Sequence, residues 1–434
     1  MKASIFLNRS VYPQRASFLV ACCLLSFSEY SLGLDAGVTI DLGAEHSDNV
    51  QKQADNQQSG IEYSTRINFS VDHAAEKLIS QFSYDAERKS YDNQEQDDET
   101  TITGSGSLVY EQLEKTLFWT IENTRRNILK DKALADVESN KESRSITTFR
   151  PDIFFRLSSV DTIKTSLSYT DIRYQDSDSN NSERLGASVN GSHALSKISN
   201  VSLGFSYDDV VFDGDSSDYQ YWLTTLSYSA ALAKLSYDIT AGYNQTQRQQ
   251  DDNGGRYLNA NAGYTYSGSQ WNLVLKQELT DTSQGNNNDG FSELGNTEGE
   301  VDIYEQTNAE LSYRTQNLCD TCVVGINLMY EKQDYEEVNE DSRERAIGLT
   351  FDYQLSRALS VDVDAEFSEL TFPGDNPDTC YDTVEIQLEL SQSLTENATI
   401  KWFVAHEDRS YDQSIGDYDE LRGGVSIAYS FDGF

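Results

Sequence analysis

Proline is scarce in this 434-residue chain: there are 4, beside 26 glycines. Proline deletes a ladder hydrogen bond inside a sheet, so its scarcity leaves room for long uninterrupted strands. Histidine is equally rare, at 4. None of His46, His73, His193 and His406 has the spacing of a metal motif such as HExxH. They read as isolated polar residues, with His46 and His406 near the loop ends of their strands. No nucleophile–base–acid set accompanies them, so the reading is of a chain that is not an enzyme and takes no cofactor. Positive charge is short as well, with 33 Lys and Arg against 72 Asp and Glu and a formal net charge of −39. Phosphate backbones demand clustered cations, which excludes nucleic acid as a partner. The same imbalance disfavours docking onto an anionic membrane surface.

Long apolar runs are missing too, save one. "ASFLVACCLLSF" (16–27) follows Lys2, Arg9 and Arg15 and precedes the small residues Ser31 and Gly33. A basic start, a short apolar run and small residues make 1–33 a cleavable signal peptide. Acylation at Cys22 is the alternative way of processing it. The run is too short for a helical span, which needs ~20 apolar residues. Cleavage would leave 34–434 as a single domain with no helical anchor.

What is present runs against the low mean hydropathy of −0.59. Aromatics reach 11%, chiefly 26 Tyr and 18 Phe, and disordered acidic chains are poor in these. From residue 36 the dominant pattern alternates with period two in segments of ~9–12 residues, the length a tilted strand needs to cross a bilayer. Clear cases are "GIEYSTRINFSV" (60–71), "KLSYDITAGY" (234–243) and "DTVEIQLELS" (382–391). The outward stripes read Ile61, Tyr63, Ile67, Phe69, Val71 on one strand and Val384, Ile386, Leu388, Leu390 on another.

The connections alternate in length. Short ones fall near 72–76, 111–115, 158–161, 196–198, 231–233, 267–269, 356–358 and 395–397. Between them lie long acidic stretches such as "QDSDSNNSE" and "DTSQGNNNDGFSELGNTEGE" (281–300). This rhythm predicts an all-β fold: a transmembrane antiparallel up-and-down β-barrel of about 20 strands (roughly 18–22), with short periplasmic turns and long extracellular loops. A soluble sandwich would scatter its loop lengths at both ends. Aromatics cluster at strand ends as headgroup-level belts. Tyr110, Trp119, Tyr266, Trp271, Tyr313 and Tyr353 lie beside short turns; Tyr91, Tyr174, Tyr243 and Tyr411 lie beside long loops.

The chain stops on "GGVSIAYSFDGF" (423–434), a strand stripe of Leu421, Gly423, Val425, Ile427, Tyr429 and Phe431. Barrel closure pairs the last strand with the first, because an open edge in lipid leaves backbone groups unsatisfied. Phe431 and Phe434 resemble the aromatic ending that bacterial barrel-assembly machinery reads, with the stripe in register with Phe431. The opening strand leading into "SDNV" (47–50), and the stretch 147–212, resemble the porin-2-like outer-membrane barrels associated with exopolysaccharide and PEP-CTERM export systems. That resemblance implies residence in the outer membrane, lipopolysaccharide as a neighbour and a link to exopolysaccharide. It carries over no functional residues.

Alternation also assigns the lumen. Asp352, Asp362, Asp364, Glu366, Glu385 and Glu389 are expected to point inward, with Arg66, Arg126, Lys276, Arg314, Lys401 and Arg422 inward from other strands. Two readings stand: opposed acidic and basic walls of a cation-preferring pore, or cross-strand ion pairs that hold the wall together. Any occlusion must come from a folded-in loop, for which 281–300 is the longest candidate. "LCDTC" places Cys319 and Cys322 in a periplasmic turn as a local disulfide, and Cys380 on the opposite side. The acidic stretches 175–181 and 213–218 read as solvated loops, with weak divalent-cation bridging to lipopolysaccharide as the alternative. Pro151, inside "TTFRPDIFFRL", calls for a bulge or for a strand that begins at Asp152.

Overall fold

A computed structural model describes residues 34–92, 98–131, 133–214, 218–248, 252–283, 302–336, 341–372, 380–411 and 416–432. Residues 1–33, read from the sequence as a signal peptide, and Phe434 lie outside the described residues.

Twenty strands follow one another. The first five are β1 (Leu34–Ser47), β2 (Gly60–Ala74), β3 (Leu78–Tyr91), β4 (Glu99–Leu113) and β5 (Leu117–Leu129). Next come β6 (Lys141–Arg156), β7 (Asp161–Tyr174), β8 (Ser182–Ala194), β9 (Ser199–Phe212) and β10 (Tyr219–Ala231). The third group is β11 (Leu235–Gln247), β12 (Asp252–Tyr266), β13 (Ser269–Asp281), β14 (Ile303–Thr315) and β15 (Cys322–Tyr335). The last are β16 (Ser342–Ser356), β17 (Leu359–Thr371), β18 (Tyr381–Ser393), β19 (Ala398–Tyr411) and β20 (Tyr418–Asp432). Each strand pairs antiparallel with the next, and β1 pairs with β20 from Gly37–Asp432 to Ser47–Arg422. The sheet is therefore a closed barrel with no free edge, as the alternating pattern predicts.

Side-chain alternation sets the two surfaces. Val38, Ile40 and Leu42 on β1 stand opposite Phe431, Tyr429 and Ile427 on β20, and all point outward. Leu185 and Leu203 are 63% and 62% exposed, and dozens of large apolar side chains share that face. Water would not tolerate so continuous an apolar surface, whereas the hydrocarbon core of a bilayer requires one. Inside there is no central core. Only two small apolar clusters exist among the described residues, around Val210 and around Ile172.

Two details differ from the sequence expectations. β6 runs unbroken through Pro151, with neither a bulge nor a start at Asp152. Its pairing with β7 lapses between Phe149–Tyr169 and Asp152–Ser166 while the register is kept, and Pro151 still stands opposite Trp119 on β5. Proline fits extended backbone, so one side of the ladder can lose a donor without shifting the strand. The aromatic belts also divide. Tyr110, Trp119, Tyr266, Trp271, Tyr313 and Tyr353 fall on the outward register at the short-turn end, with Tyr110–Trp119 and Trp271–Tyr313 directly opposite each other. Of the four tyrosines beside long loops, only Tyr243 points outward, 57% exposed. Tyr91, Tyr174 and Tyr411 turn inward: Tyr174 and Tyr411 reach carbonyls of chain segments folded into the mouth of the barrel, and Tyr91 lines the cavity there.

Candidate functional site in the barrel lumen

All twelve charged residues assigned to the lumen fall on the inward register of their strands. On β16–β18 the acidic residues oppose one another: Asp352 faces Asp362, Asp362 faces Glu389, and Glu366 faces Glu385. Like charges directly opposite are unfavourable in a sheet. The basic residues relieve part of this. Arg314 pairs with Asp352 at 3.2 Å, Lys401 with Glu389 at 3.0 Å and Arg422 with Glu385 at 2.6 Å. Arg66 and Lys276 pair on their own side of the ring, with Glu87 at 2.9 Å and Glu278 at 2.5 Å. Arg126 stands opposite Arg144. The cations thus flank or ignore the acidic wall rather than forming an opposed basic wall, because neighbouring strands bring them within reach. Among the described residues no salt bridge reaches Asp362, Asp364 or Glu366; Lys401 lies near enough to act on Asp362, whereas the charged neighbours of Asp364 and Glu366 are carboxylates.

Two segments fold inward above this wall. The first is the end of the β13–β14 hairpin. The β12–β13 register stops at Leu258–Gln277, and beyond it β13 leaves the wall. With its amide oriented to satisfy the network, buried Asn244 on β11 spans the seam: its nitrogen donates to the Gly255 carbonyl and its oxygen accepts from the Leu279 amide, both at 2.8 Å. A side chain at Gly255 would crowd both Asn244 and Leu279. Leu279 and Ile303 then pack on Val210, Phe212 and Tyr219 of β9 and β10. Asp281, fully buried, accepts two hydrogen bonds from Arg184 Nη2, at 2.9 and 2.7 Å, and one from the Tyr219 hydroxyl. The Tyr174 hydroxyl donates to the Thr282 and Ser283 carbonyls at 3.1 and 2.8 Å. β13 can touch β7–β10 only through the interior. The described base of the expected folded-in loop is therefore inside the barrel; residues 284–301 lie outside the described residues.

The second segment, which the sequence reading did not single out, links β5 to β6. It begins where the β4–β5 register ends, at Gly104–Arg125. Gly104 has φ +139°, a conformation that suits glycine, and its missing side chain lets Tyr84 lie close. Asn140, buried, braces the segment by donating to the Asp131 and Ala135 carbonyls at 2.8 and 3.1 Å. Its far side meets β19: the Tyr411 hydroxyl donates to the Ala133 carbonyl at 3.1 Å and Arg409 to the Leu134 carbonyl at 3.3 Å. Glu138 pairs with Lys89 at 3.0 Å and Asp136 with Lys141 at 2.5 Å. Burial by itself would raise both carboxyls. For Glu138, the hydrogen bond with Glu99 and the Lys89 and Lys141 charges outweigh burial and hold its pKa down at about 2. Lys141, with Lys52 behind it, holds Asp136 below its ordinary value.

Between this segment and the acidic wall lies a cavity of about 490 Å³, within the range of small-molecule sites. Its walls include Glu366 and Glu385 from the acidic patch, Lys52 and Lys89, and the rings of Tyr91 and Tyr381. Lys52 is held by Glu407 at 2.6 Å, and the Arg409 guanidinium stacks 4.2 Å over Tyr381. The arrangement can select by charge and size; nothing in it activates a nucleophile. His46 and His406 point outward on β1 and β19, and His193 pairs with Asp161 at 2.7 Å. No group of three metal-ligating side chains occurs among the described residues. Cys319 and Cys322 stand 5.4 Å apart at Cα in the β14–β15 turn, within disulfide reach, while Cys380 is free at the other end of the barrel.

Neither a known family's sequence profile nor a curated protein matches this chain. Solved structures do. The FrpB iron transporter from Neisseria meningitidis (F5-1 variant) is 9% identical, with 92% of this chain and 82% of that one covered, at a TM-score of 0.51. The fold is that of an outer-membrane β-barrel. OccK2 of Pseudomonas aeruginosa (10% identical, 92% and 98% covered, TM-score 0.41) and a loop-deletion mutant of OmpT, an outer membrane protein of Vibrio cholerae (10%, 92% and 99%, TM-score 0.37), are similar over comparable lengths. At these identities the likeness speaks for the fold alone.

Proposed function

We propose that this protein is an outer-membrane channel for small hydrophilic solutes or a glycan chain, with a preference for cations. The observation that carries the reading is the trio Asp362, Asp364 and Glu366. These are inward carboxylates that no salt bridge reaches among the described residues, and Glu366 itself lines the cavity beneath the mouth. A narrow passage with one sign of uncompensated charge concentrates counter-ions and favours their passage. In this reading 1–33 is removed on export, and the barrel-assembly machinery reads the terminal strand bearing Phe431 and Phe434. Lipopolysaccharide surrounds the outer rim, Cys319–Cys322 forms a disulfide, and the exopolysaccharide link of the porin-2-like barrels extends to this chain. A second reading is a non-conducting structural or assembly component of an exopolysaccharide export system. The two inward segments favour it, since their described residues attach across the lumen to strands far around the ring.

Recording in planar bilayers separates the two. The channel gives discrete conductance steps and a reversal potential displaced toward cation selectivity in a salt gradient. Asp362→Asn, Asp364→Asn and Glu366→Gln together should move that potential toward zero without reducing barrel yield. Silence at all voltages would favour the structural role, and an unchanged potential would refute the assignment of the selectivity wall.

A further inference from the structure

We propose that the β5–β6 segment is a releasable strap across the lumen, while the β13–β14 hairpin is a permanent constriction. The two look alike in outline, as each leaves the wall at a seam and reaches β-strands far around the ring. Their attachments differ in kind.

The hairpin is held by an apolar cluster of Val210, Phe212, Tyr219, Leu279 and Ile303, and by a charge pair shut off from water. Breaking a buried pair strands a charge, so detachment is costly at any ionic strength. Among its described residues the strap has no such seat. Leu134, the one leucine near its tip, is 54% exposed and packs into no cluster. Its grip on β19 consists of two hydrogen bonds to its backbone, from Tyr411 and Arg409. Among the described residues its other polar contacts are the Glu138–Glu99 hydrogen bond and ion pairs whose members stay partly in water: Lys89–Glu138 at 26% and 21% side-chain exposure and Lys141–Asp136 at 21% and 40%. Such pairs are individually weak and screened by salt. The strap keeps its own shape, because the Asn140 side chain ties Asp131 and Ala135 together and its backbone carbonyl accepts from the Lys130 amide. It can therefore leave β19 as a unit rather than unravel. Asp136, Val137 and Glu138 wall the cavity, so departure of the strap would widen the cavity toward the outside.

This inference does not require the channel reading, and its test does not use conductance. Amide hydrogen exchange of the folded full barrel in detergent compares residues 133–140 with residues 279–283 and 303–306. The wild type at 0.1 M KCl should exchange at least tenfold faster in the strap than in the hairpin. Raising KCl to 1 M should speed the strap and leave the hairpin alone. Arg409→Gln and Tyr411→Phe should each speed the strap several-fold; heat-modifiable gel mobility confirms a closed barrel in each variant. Equal protection of the two segments, or a strap indifferent to both salt and the two substitutions, would overturn the proposal. If bilayers were silent while the strap still exchanged this way, the channel reading alone would fail.

Discussion

Asp281→Asn tests whether the hairpin is fixed inside the barrel by charge. Asp281 has no solvent exposure and receives hydrogen bonds from Arg184 Nη2, the Ser283 amide at 2.9 Å, the Ser283 hydroxyl at 2.7 Å and the Tyr219 hydroxyl. The substitution keeps the size of the side chain and removes its charge, so the Arg184 guanidinium loses its hydrogen-bonded counter-ion and keeps only the charge of Asp208. Stranding one member of a buried pair costs roughly 3–5 kcal/mol, which is about two to three and a half powers of ten in the docked–undocked equilibrium of the hairpin. Removing both members with apolar residues, as in Arg184→Met with Asp281→Leu, should recover part of that loss, since the buried guanidinium goes with its partner and Asp208 alone loses its cation. Hydrogen exchange at 279–283 and 303–306 reads the equilibrium directly, and heat-modifiable mobility confirms that the barrel is intact. The reasoning fails if Asp281→Asn leaves those amides as protected as in the wild type. It also fails if the double variant is worse than the single one.

The strap should respond to acid in a fixed direction. Glu138 and Asp136 titrate below their ordinary values in the folded protein, so their stabilisation is complete above about pH 4.5 and is lost as the pH falls toward about 2; proteolytic nicking near Ala133–Val137 should rise over that window. On the lipid face, Leu388→Arg should destabilise the barrel by roughly 2–4 kcal/mol in urea refolding into vesicles, whereas Gln387→Arg next to it, on the lumen register, should cost far less. Equal costs would mean that the inside and outside are misassigned. Maleimide labelling of the unfolded, unreduced protein lacking 1–33 should modify one thiol, Cys380, and three after reduction.

A closed barrel of about 20 strands and its closing pair were legible in the sequence, because each rests on a local rule. A period of two says which side chains share a face, and loop lengths say which end they meet. The partnerships were not legible. Arg314, Lys401 and Arg422 could be placed inside but not matched to Asp352, Glu389 and Glu385, since pairing depends on cross-strand register and side-chain reach. Tyr174 and Tyr411 carried the right signal for the wrong partner: a tyrosine beside a long loop suits a headgroup or a backbone carbonyl equally well, and the fold supplied the carbonyl. Arg184 and Asp281 were invisible for the same reason, lying nearly a hundred residues apart on strands that are not neighbours.

By itself, then, the amino-acid order determined a sealed cylinder with an oily outside and a charged inside. Alternation is enforced residue by residue by the two solvents on either side of the wall. Only the tertiary structure decided how the cylinder is narrowed. The hairpin and the strap are held by groups from distant strands, whose meeting follows from the curvature of the closed ring and from no pattern along the chain.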